Sequence, residues 1–321
     1  MAPRSSRGGT PLDAVCARKA EVRVPDAPAP RRAGILDHAA CIRYADVVLL
    51  QGSPVLGAAL AARGFGAAAV GRGAAALLAS LLLVAHVFAV NDWANLAADA
   101  SDPARAAGVF TRRGVSPRAF GGACVALLGA SLRLFALLGG AALLLAAGIA
   151  ARGAAYSHPP LDAKGRPGLS SLAHLGGGGL HFLLGYSVFA PIDRRAVLSA
   201  LFFGLTFAAG HLNQEVRDHA GDLANGIRTN AVAFGRRAAF FAGLVLFTLA
   251  YADLALLASR GVLPLALALV AALLYPAHVA FSVAALREGL TAGSVRRFQA
   301  RYRALYALLG AAMLAAIGRG A

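Results

Sequence analysis

Two short segments gather acidic and amide side chains in a chain that otherwise avoids charge. The first spans residues 91 to 99 and the second residues 215 to 222, and each lies at the end of an apolar run. A carboxylate beside membrane hydrocarbon is costly, and such residues usually persist because they bind ions or substrate. Oxygen ligands grouped in this way suit Mg²⁺ bridged to a phosphate-bearing ligand. The sequence therefore predicts a metal site to which both segments contribute.

The spacing of the polar residues predicts that each segment presents them on one face of a helix. In the first segment, Asn91, Asn95 and Asp99 recur every four residues, which is about one helical turn. In the second, five side chains from His211 to Asn225 follow a four, three, four, three spacing, which predicts a continuous stripe. The predicted metal ligands are Asn91, Asp92, Asn95, Asp99, Glu215, Asp218 and Asp222.

A simpler interpretation is that these carboxylates lie at the membrane interface and pair with nearby arginines. The candidate partners are Arg105, Arg112, Arg217 and Arg228. However, six of the eleven acidic residues after Tyr44 belong to these two segments once Asp102 is included. Such a concentration of acidic residues would rarely arise by chance, and we therefore favour a metal site.

The composition predicts a membrane domain. Of the 321 residues, 58% are hydrophobic and only 14% are charged, and the mean hydropathy is +0.64, which favours a polytopic helical bundle over a soluble fold. The net charge of +16 comes from basic residues dispersed between apolar stretches, so we expect no nucleic-acid partner. No protein partner is evident. The three cysteines, Cys16, Cys41 and Cys124, have no metal-binding spacing and predict neither a zinc site nor a disulfide framework.

The N-terminal end of the chain differs from the rest. Residues 1–34 are rich in proline, arginine and small residues and contain no apolar core long enough for a signal peptide, so we expect a disordered tail. Residues 35–321 are then expected to form a single transmembrane domain.

Apolar runs long enough to span a bilayer predict about nine transmembrane helices. They lie near residues 43–63, 73–95, 117–134, 137–156, 169–190, 195–216, 231–257, 262–285 and 301–318. The third and fourth require a tight turn between Arg133 and Gly140. Nine spans place the N-terminus and the loops after even-numbered helices on one side, which carries 24 of the 31 basic residues. By the positive-inside rule we predict a multi-pass inner-membrane protein whose acidic segments face the cytoplasm.

A third motif, residues 156–167, lies between the predicted fourth and fifth helices. Its prolines end the fourth helix and fix an extended turn. Lys164 is the only lysine after residue 19 in a chain that otherwise uses arginine, and with Arg166 it could neutralise phosphate oxygens. Taken alone, the motif is better explained as an ordinary basic loop on the cytoplasmic side.

Together the three motifs resemble those of the UbiA superfamily of intramembrane prenyltransferases. The first motif of that family is Asn-Asp-x-x-Asp-x-x-x-Asp after the second helix, and its second is Asp-x-x-x-Asp after the sixth. Residues 91–99 and 218–222 match them, and the Tyr-Ser-x-Pro-Pro loop that runs on to a lysine corresponds through Tyr156 and Lys164. Residues 226–235 resemble the family's continuation of the second motif. The resemblance covers about residues 43 to 318.

This chain departs from the family pattern at two places. Asn95 stands where the middle Asp of the first motif is expected, which keeps an oxygen ligand but removes one negative charge. Residues 108–114 lack the Arg-Pro-Leu-like run that is common after the first motif. The number of bound metal ions and the subfamily are therefore left open.

The resemblance implies a central cavity open to lipid, where an isoprenyl diphosphate places its head group against Mg²⁺ and its tail among the helices. It implies diphosphate binding by Tyr156, Lys164, Arg166 and Arg228. It implies catalytic roles for Asp92, Asp99, Asp218, Asp222 and Lys164.

The leading hypothesis is Mg²⁺-dependent transfer of an isoprenyl group from its diphosphate to a small aromatic or lipid-like acceptor within the membrane. The same architecture could instead cyclise the isoprenoid, and a membrane terpene cyclase is the enzymatic alternative. A cation-coupled transporter is a third hypothesis. The position of the acids at helix ends, instead of at mid-membrane, argues against it.

Overall fold

The structure is a computed structural model that describes residues 33–62, 64, 66–101, 105–157 and 163–320. Long helices make up most of this part of the chain. These residues contain no strand. The all-α bundle of about nine helices predicted from the sequence is confirmed. The long helices, numbered here in chain order, are Tyr44–Ala61 (α1), Ala67–Ala94 (α2), Pro117–Leu138 (α3), Gly140–Ser157 (α4), Leu169–Ser187 (α5), Arg194–Ala224 (α6), Arg236–Ser259 (α7), Ala266–Arg287 (α8) and Ala292–Gly320 (α9).

Eight of these helices are long and apolar enough to cross a membrane. The exception is α5, which has 19 residues but includes two histidines and the glycines 176–179. Because α5 packs against α1, α4 and α6, it needs less apolar surface than a helix that faces lipid. The spans indicate a multi-pass membrane protein.

Capping residues and one glycine set the helix boundaries. Ser116 accepts a hydrogen bond from the backbone of Ala119 at the start of α3, and Asp193 caps the start of α6 in the same way. Between α3 and α4 the chain turns at Gly139, whose φ of 145° is accessible to glycine and strained for other residues. The tight turn that the sequence required between α3 and α4 is therefore present.

Glycines let α5 approach its two main neighbours closely. A Cβ atom added to Gly185 would lie 1.8 Å from the Pro54 carbonyl oxygen of α1, and one added to Gly178 would lie 2.4 Å from the Phe203 carbonyl oxygen of α6. Such contacts between backbones are a common way for helices to pack in membranes. They make α5 the element that joins the α2–α4 side of the bundle to the α6–α9 side.

An apolar cavity of about 350 Å³ lies between α1, α2 and α5. On α2 its lining runs from Ala69 to Ser80, so it lies towards the end of the bundle that is remote from the acidic segments. Small residues such as Ala58 and Gly73 leave the space open. This cavity is apolar enough to take a hydrocarbon chain.

Some of the predictions fall outside the described residues. Of the predicted tail, residues 1–34, only 33 and 34 are described. Asp102 and residues 158–162 of the third motif also lie outside the described part.

Candidate active site

The two acidic segments meet at one end of the bundle, where α2, α4 and α6 finish. Arg105 joins them, because its Nη1 lies 3.2 Å from Asp99 Oδ1 and its Nη2 lies 3.1 Å from Asp218 Oδ2. Burial alone would lower the pKa of Arg105, but the carboxylates of Asp218 and Asp99 outweigh that effect and raise it. The guanidinium is therefore a fixed positive charge between the two segments.

The third motif approaches the same place from α4. Lys164 Nζ lies 3.7 Å from Asp222 Oδ1, and the side chain of Asp222 is only 5% exposed. Asn91 of the first segment donates a hydrogen bond of 3.1 Å to Ser157 Oγ at the end of α4. The chain thus brings all three sequence motifs to one end of the bundle.

Asp92 is held by a residue that precedes α1. Arg43 Nη1 lies 3.6 Å from Asp92 Oδ1, while Nη2 of the same arginine lies 2.7 Å from Asp46. The Arg43 guanidinium also lies over the ring of Phe88, 4.7 Å from its centroid. The start of α1 therefore contributes one edge of the site.

The first segment is not one continuous helix face, contrary to what its spacing predicted. α2 ends at Ala94, Asn95 caps it with φ −96° and ψ 9°, and a new helix, Leu96–Ser101, follows. The Asn91 carbonyl oxygen accepts two hydrogen bonds from Asn95, one from its backbone N–H at 3.0 Å and one from Nδ2 at 2.8 Å. Asp92 lies against Arg43, and Asp99 lies against Arg105.

The second segment does lie on a continuous helix, but its acidic side chains contact two separate groups of residues. Glu215, the most buried acid of the segment, accepts hydrogen bonds from Asn230 Nδ2 on both carboxylate oxygens, at 3.1 and 3.0 Å. Ser170 donates to one of the same oxygens at 3.2 Å. Both oxygens of Glu215 thus have partners, whereas Asp218 and Asp222 face Arg105 and Lys164. The metal-binding role of Glu215 stays a prediction.

Aromatic and imidazole rings lie next to the carboxylates. The rings of His174 on α5 and His211 on α6 stack with centroids 3.5 Å apart. Tyr156 of α4 meets His174 edge to face, with centroids 5.1 Å apart. His211 Nε2 lies 2.9 Å from Glu215 Oε1, although it is poorly aligned for a hydrogen bond. These rings form a wall between α4, α5 and α6.

Two predicted phosphate-binding residues lie at the surface. Arg166 and Arg228 are both exposed, and neither forms an ion pair with another residue in the described ranges. Their diphosphate-binding roles stay predictions.

The donor set fits a divalent cation. Four aspartates and two asparagine amides supply the oxygen ligands that Mg²⁺ prefers. As the described residues are arranged, no group of three or more His, Cys, Asp or Glu side chains could hold a metal ion. Instead Arg105, Arg217 and Lys164 supply the positive charge at Asp99, Asp218 and Asp222.

Sequence analysis missed several residues that shape the site. Arg43, Ser170 and Asn230 contact the predicted ligands from helices that are distant in sequence. From the sequence, Arg105 and Arg217 were considered only as ion-pair partners in the interpretation that has no metal site. Both do form ion pairs with Asp218. No spacing pattern reports such contacts, because they depend on how the helices pack.

Comparisons with known proteins agree with the geometry. A model of the UbiA prenyltransferase family matches residues 52–298, which is most of the chain. No curated protein matches the sequence. A solved structure of a digeranylgeranylglyceryl phosphate synthase superposes with a TM-score of 0.68 at 14% identity, covering 89% of this chain and 99% of that one.

Two archaeal structures are also similar in fold. A UbiA homolog from Archaeoglobus fulgidus bound to GPP and Mg²⁺ has a TM-score of 0.66 at 18% identity and covers 87% of this chain and 99% of its own. The apo structure of a UbiA homolog from Aeropyrum pernix K1 has a TM-score of 0.65 at 21% identity, with coverage of 84% and 97%. At these identities the structures establish a common fold.

Proposed function

This chain belongs to the UbiA prenyltransferase family and is a membrane prenyltransferase, and on that premise we propose that it moves an isoprenyl group from its diphosphate to a small aromatic or lipid-like acceptor, with Mg²⁺ at the aspartates. The observation that carries the proposal is the position of Arg105, whose guanidinium lies within 3.2 Å of both acidic segments. Two sets of carboxylates that share one cation suit a site where a metal ion and a diphosphate are bound together.

The ligands in this proposal are six of the seven predicted residues. Glu215 is excluded because its two oxygens bind Asn230 and Ser170 within the bundle. We assign it the role of fixing α5 and residue 230 beside α6. Bound Mg²⁺ would supply Lewis-acid stabilisation of the departing diphosphate. The proposed ligands are Asn91, Asp92, Asn95, Asp99, Asp218 and Asp222.

The cations of the site have a second role in the proposal. Arg105 and Lys164 hold carboxylates at 3.1 to 3.7 Å. When an isoprenyl diphosphate binds, these side chains exchange the carboxylates for phosphate oxygens. The exposed residues Arg166 and Arg228, together with Tyr156, complete the diphosphate site. Positive charges placed where negative charge develops are an effective means of catalysis.

The reaction itself requires a dry chamber. The bond between C1 of the isoprenyl group and the diphosphate oxygen breaks, and the diphosphate leaves with the electron pair. The allylic cation is attacked by an acceptor carbon, which then loses a proton to a base. The stacked rings of His174 and His211 and the edge of Tyr156 exclude water on one side of this chamber. The isoprenyl tail would extend towards the apolar cavity between α1, α2 and α5.

The site faces the cytoplasm in this proposal. In the sequence, the N-terminal region and the loops predicted on this side of the membrane carry 24 of the 31 basic residues. Basic residues accumulate in cytoplasmic loops, so the bias orients the protein.

Assays of purified protein in lipid nanodiscs test the proposal. We expect diphosphate release from allylic diphosphates that needs both an acceptor and a divalent cation and is lost in Asp218→Ala. Gln214→Ala is the matched control, because Gln214 is an exposed residue of the same helix. A cyclic product without any acceptor would support the cyclase instead. Undiminished release in Asp92→Ala and Asp218→Ala would contradict the site.

A further inference from the structure

The carboxylate of Asp218 is held by the arginine that precedes it in the same helix. Arg217 Nε lies 2.8 Å from Asp218 Oδ1 and Arg217 Nη2 lies 2.9 Å from Asp218 Oδ2, so the guanidinium binds the carboxylate with two hydrogen bonds. Consecutive residues of a helix point about 100° apart around its axis and do not face each other. The side chain of Arg217 must therefore bend around α6, and a further contact is needed to offset the conformational freedom that it loses.

Gln299 of α9 supplies this further contact. Its Oε1 accepts a hydrogen bond of 3.1 Å from Arg217 Nη1, the guanidinium nitrogen that does not bind Asp218. Gln299 is only 2% exposed, and the ring of the preceding Phe298 packs on Phe240 of α7 with centroids 5.3 Å apart. All three guanidinium nitrogens of Arg217 thus have an acceptor, and one of these acceptors is fixed in the packed part of the bundle.

The amide of Gln299 is costly at this position. Its Nε2 is buried and has no hydrogen-bond partner among the described residues. An unpaired amide in apolar surroundings lowers stability, whereas an unbranched apolar residue such as methionine would fill the space without that cost. What the glutamine provides and a methionine would not is the acceptor for Arg217. This combination indicates that Gln299 serves the site more than it serves the fold.

Arg217 and Arg105 contact the same carboxylate in different ways. Arg105 Nη2 lies 3.1 Å from Asp218 Oδ2, and this arginine lies between α2 and α3 with 38% of its side chain exposed. Arg217 belongs to α6, is 26% exposed and is also bound to α9. Because a carboxylate has about four lone-pair sites, the two bonds from Arg217 leave others available to a further cation. Arg217 is therefore placed to stay with Asp218 when Arg105 exchanges to a phosphate oxygen.

We propose that Gln299 is a positioning residue of the metal and diphosphate site. By holding Arg217, it keeps the Asp218 carboxylate in one orientation, with lone pairs available to Mg²⁺. Residues that orient metal-binding carboxylates commonly contribute about tenfold to a hundredfold in metal affinity. This inference rests on the proposed function, and it extends the site to α9, a helix that carries none of the residues predicted from the sequence.

Four variants separate this role from a structural one. Gln299→Met removes the acceptor and fills the same space, whereas Gln299→Glu keeps an acceptor for Arg217. Ser294→Ala is the matched control, because Ser294 is buried near the start of the same helix and its Oγ donates to the Thr291 carbonyl oxygen. Arg217→Met removes the residue through which Gln299 acts. Since Gln299→Met also removes an unpaired amide nitrogen, its melting temperature should equal or exceed that of the wild type.

Binding of Mn²⁺ gives a readout that does not depend on turnover. Mn²⁺ accepts the same oxygen ligands as Mg²⁺ and can be followed by electron paramagnetic resonance, here in nanodiscs with a non-hydrolysable isoprenyl diphosphate analogue present. We expect Gln299→Met to weaken Mn²⁺ binding by about tenfold or more, Gln299→Glu to restore most of the affinity, and Ser294→Ala to bind as the wild type. Combined with Arg217→Met, Gln299→Met should have no further effect, because both act on one carboxylate.

Steady-state kinetics distinguish this role from that of Arg105. Gln299→Met should raise the half-maximal Mg²⁺ concentration and recover most of the wild-type kcat at saturating Mg²⁺, without the rise in the KM for isoprenyl diphosphate that is expected when Arg105 is removed. A lower melting temperature with unchanged Mn²⁺ binding would overturn the inference, as would effects of Gln299→Met and Arg217→Met that multiply. If Mn²⁺ binding depends on Gln299 but no isoprenyl transfer occurs, the proposed function fails and the positioning role stands.

Discussion

The two acidic segments reach the same site by different structural means. The second is built into the long helix α6, where Asp222 has a side chain only 5% exposed and Glu215 anchors the buried side. The first lies at the end of α2, where the helix breaks at Asn95, and its two aspartates depend on arginines from outside the segment. We infer that the second segment is the rigid half of the site and that the first is completed by Arg43 and Arg105.

The comparison predicts the largest effect at the rigid half. Asp218→Ala should reduce the turnover of isoprenyl diphosphate by about a thousandfold, the loss expected when a main element of charge stabilisation is removed. Asp92→Ala, in the half of the site that lies at the end of α2, should reduce turnover less. Steady-state rates of diphosphate release at saturating Mg²⁺ measure both, with Gln214→Ala as the control. A larger loss of turnover in Asp92→Ala than in Asp218→Ala would contradict the assignment of the second segment as the rigid half of the site.

A smaller effect is expected at Arg105, which links the two halves. Arg105→Ala should raise the KM for isoprenyl diphosphate by about tenfold or more, since charge-assisted hydrogen bonds contribute roughly 1.5 to 3 kcal/mol. Stability should change little, because the side chain is 38% exposed and pairs of this kind are screened by water. Arg112→Ala, an exposed arginine of the following turn, is the control. An unchanged KM would show that Arg105 only pairs the carboxylates.

Glu215→Gln tests whether the buried acid supports the fold or binds metal. An amide would place a donor opposite Asn230 Nδ2 or Ser170 Oγ, so the variant should lose about 1 to 3 kcal/mol of stability. The Mg²⁺ concentration for half-maximal activity should stay near the wild-type value. Thermal unfolding and a magnesium titration would be measured on the same samples. A large rise in the Mg²⁺ requirement with an unchanged melting temperature would show that Glu215 is a metal ligand.

The smallest effect is expected at the break in the first segment. Asn95→Asp restores a negative charge near the proposed metal but loses the amide donor to the Asn91 carbonyl oxygen. We expect the half-maximal Mg²⁺ concentration to fall by about threefold, since a single added ligand charge contributes well under the 1 to 3 kcal/mol of a main ligand. Asn225→Asp, at the corresponding cap of α6, is the matched control. A higher Mg²⁺ requirement in Asn95→Asp would show that the cap matters more than the charge.

Much of the fold followed from the sequence, because each apolar run is long enough to span and each boundary carries a local signal such as Ser116, Asp193 or Gly139. The motif spacings also identified the segments that meet. They did not reveal that α2 would end at Asn95, because an asparagine four residues after Asn91 fits a continuing helix equally well. Nor could the spacings show that Glu215 would accept hydrogen bonds from Asn230, because that contact requires α6 to pack on the start of α5.

The central claim is that both acidic segments form one metal and diphosphate site, and a double-mutant cycle tests it most directly. The affinity for a non-hydrolysable isoprenyl diphosphate analogue in the presence of Mg²⁺ would be measured for Asp99→Ala, Asp218→Ala and the double variant. If the two residues serve one site, the double variant should bind little worse than the weaker single variant, because changes within one network are not additive. Losses that multiply, as for independent sites, would contradict the account.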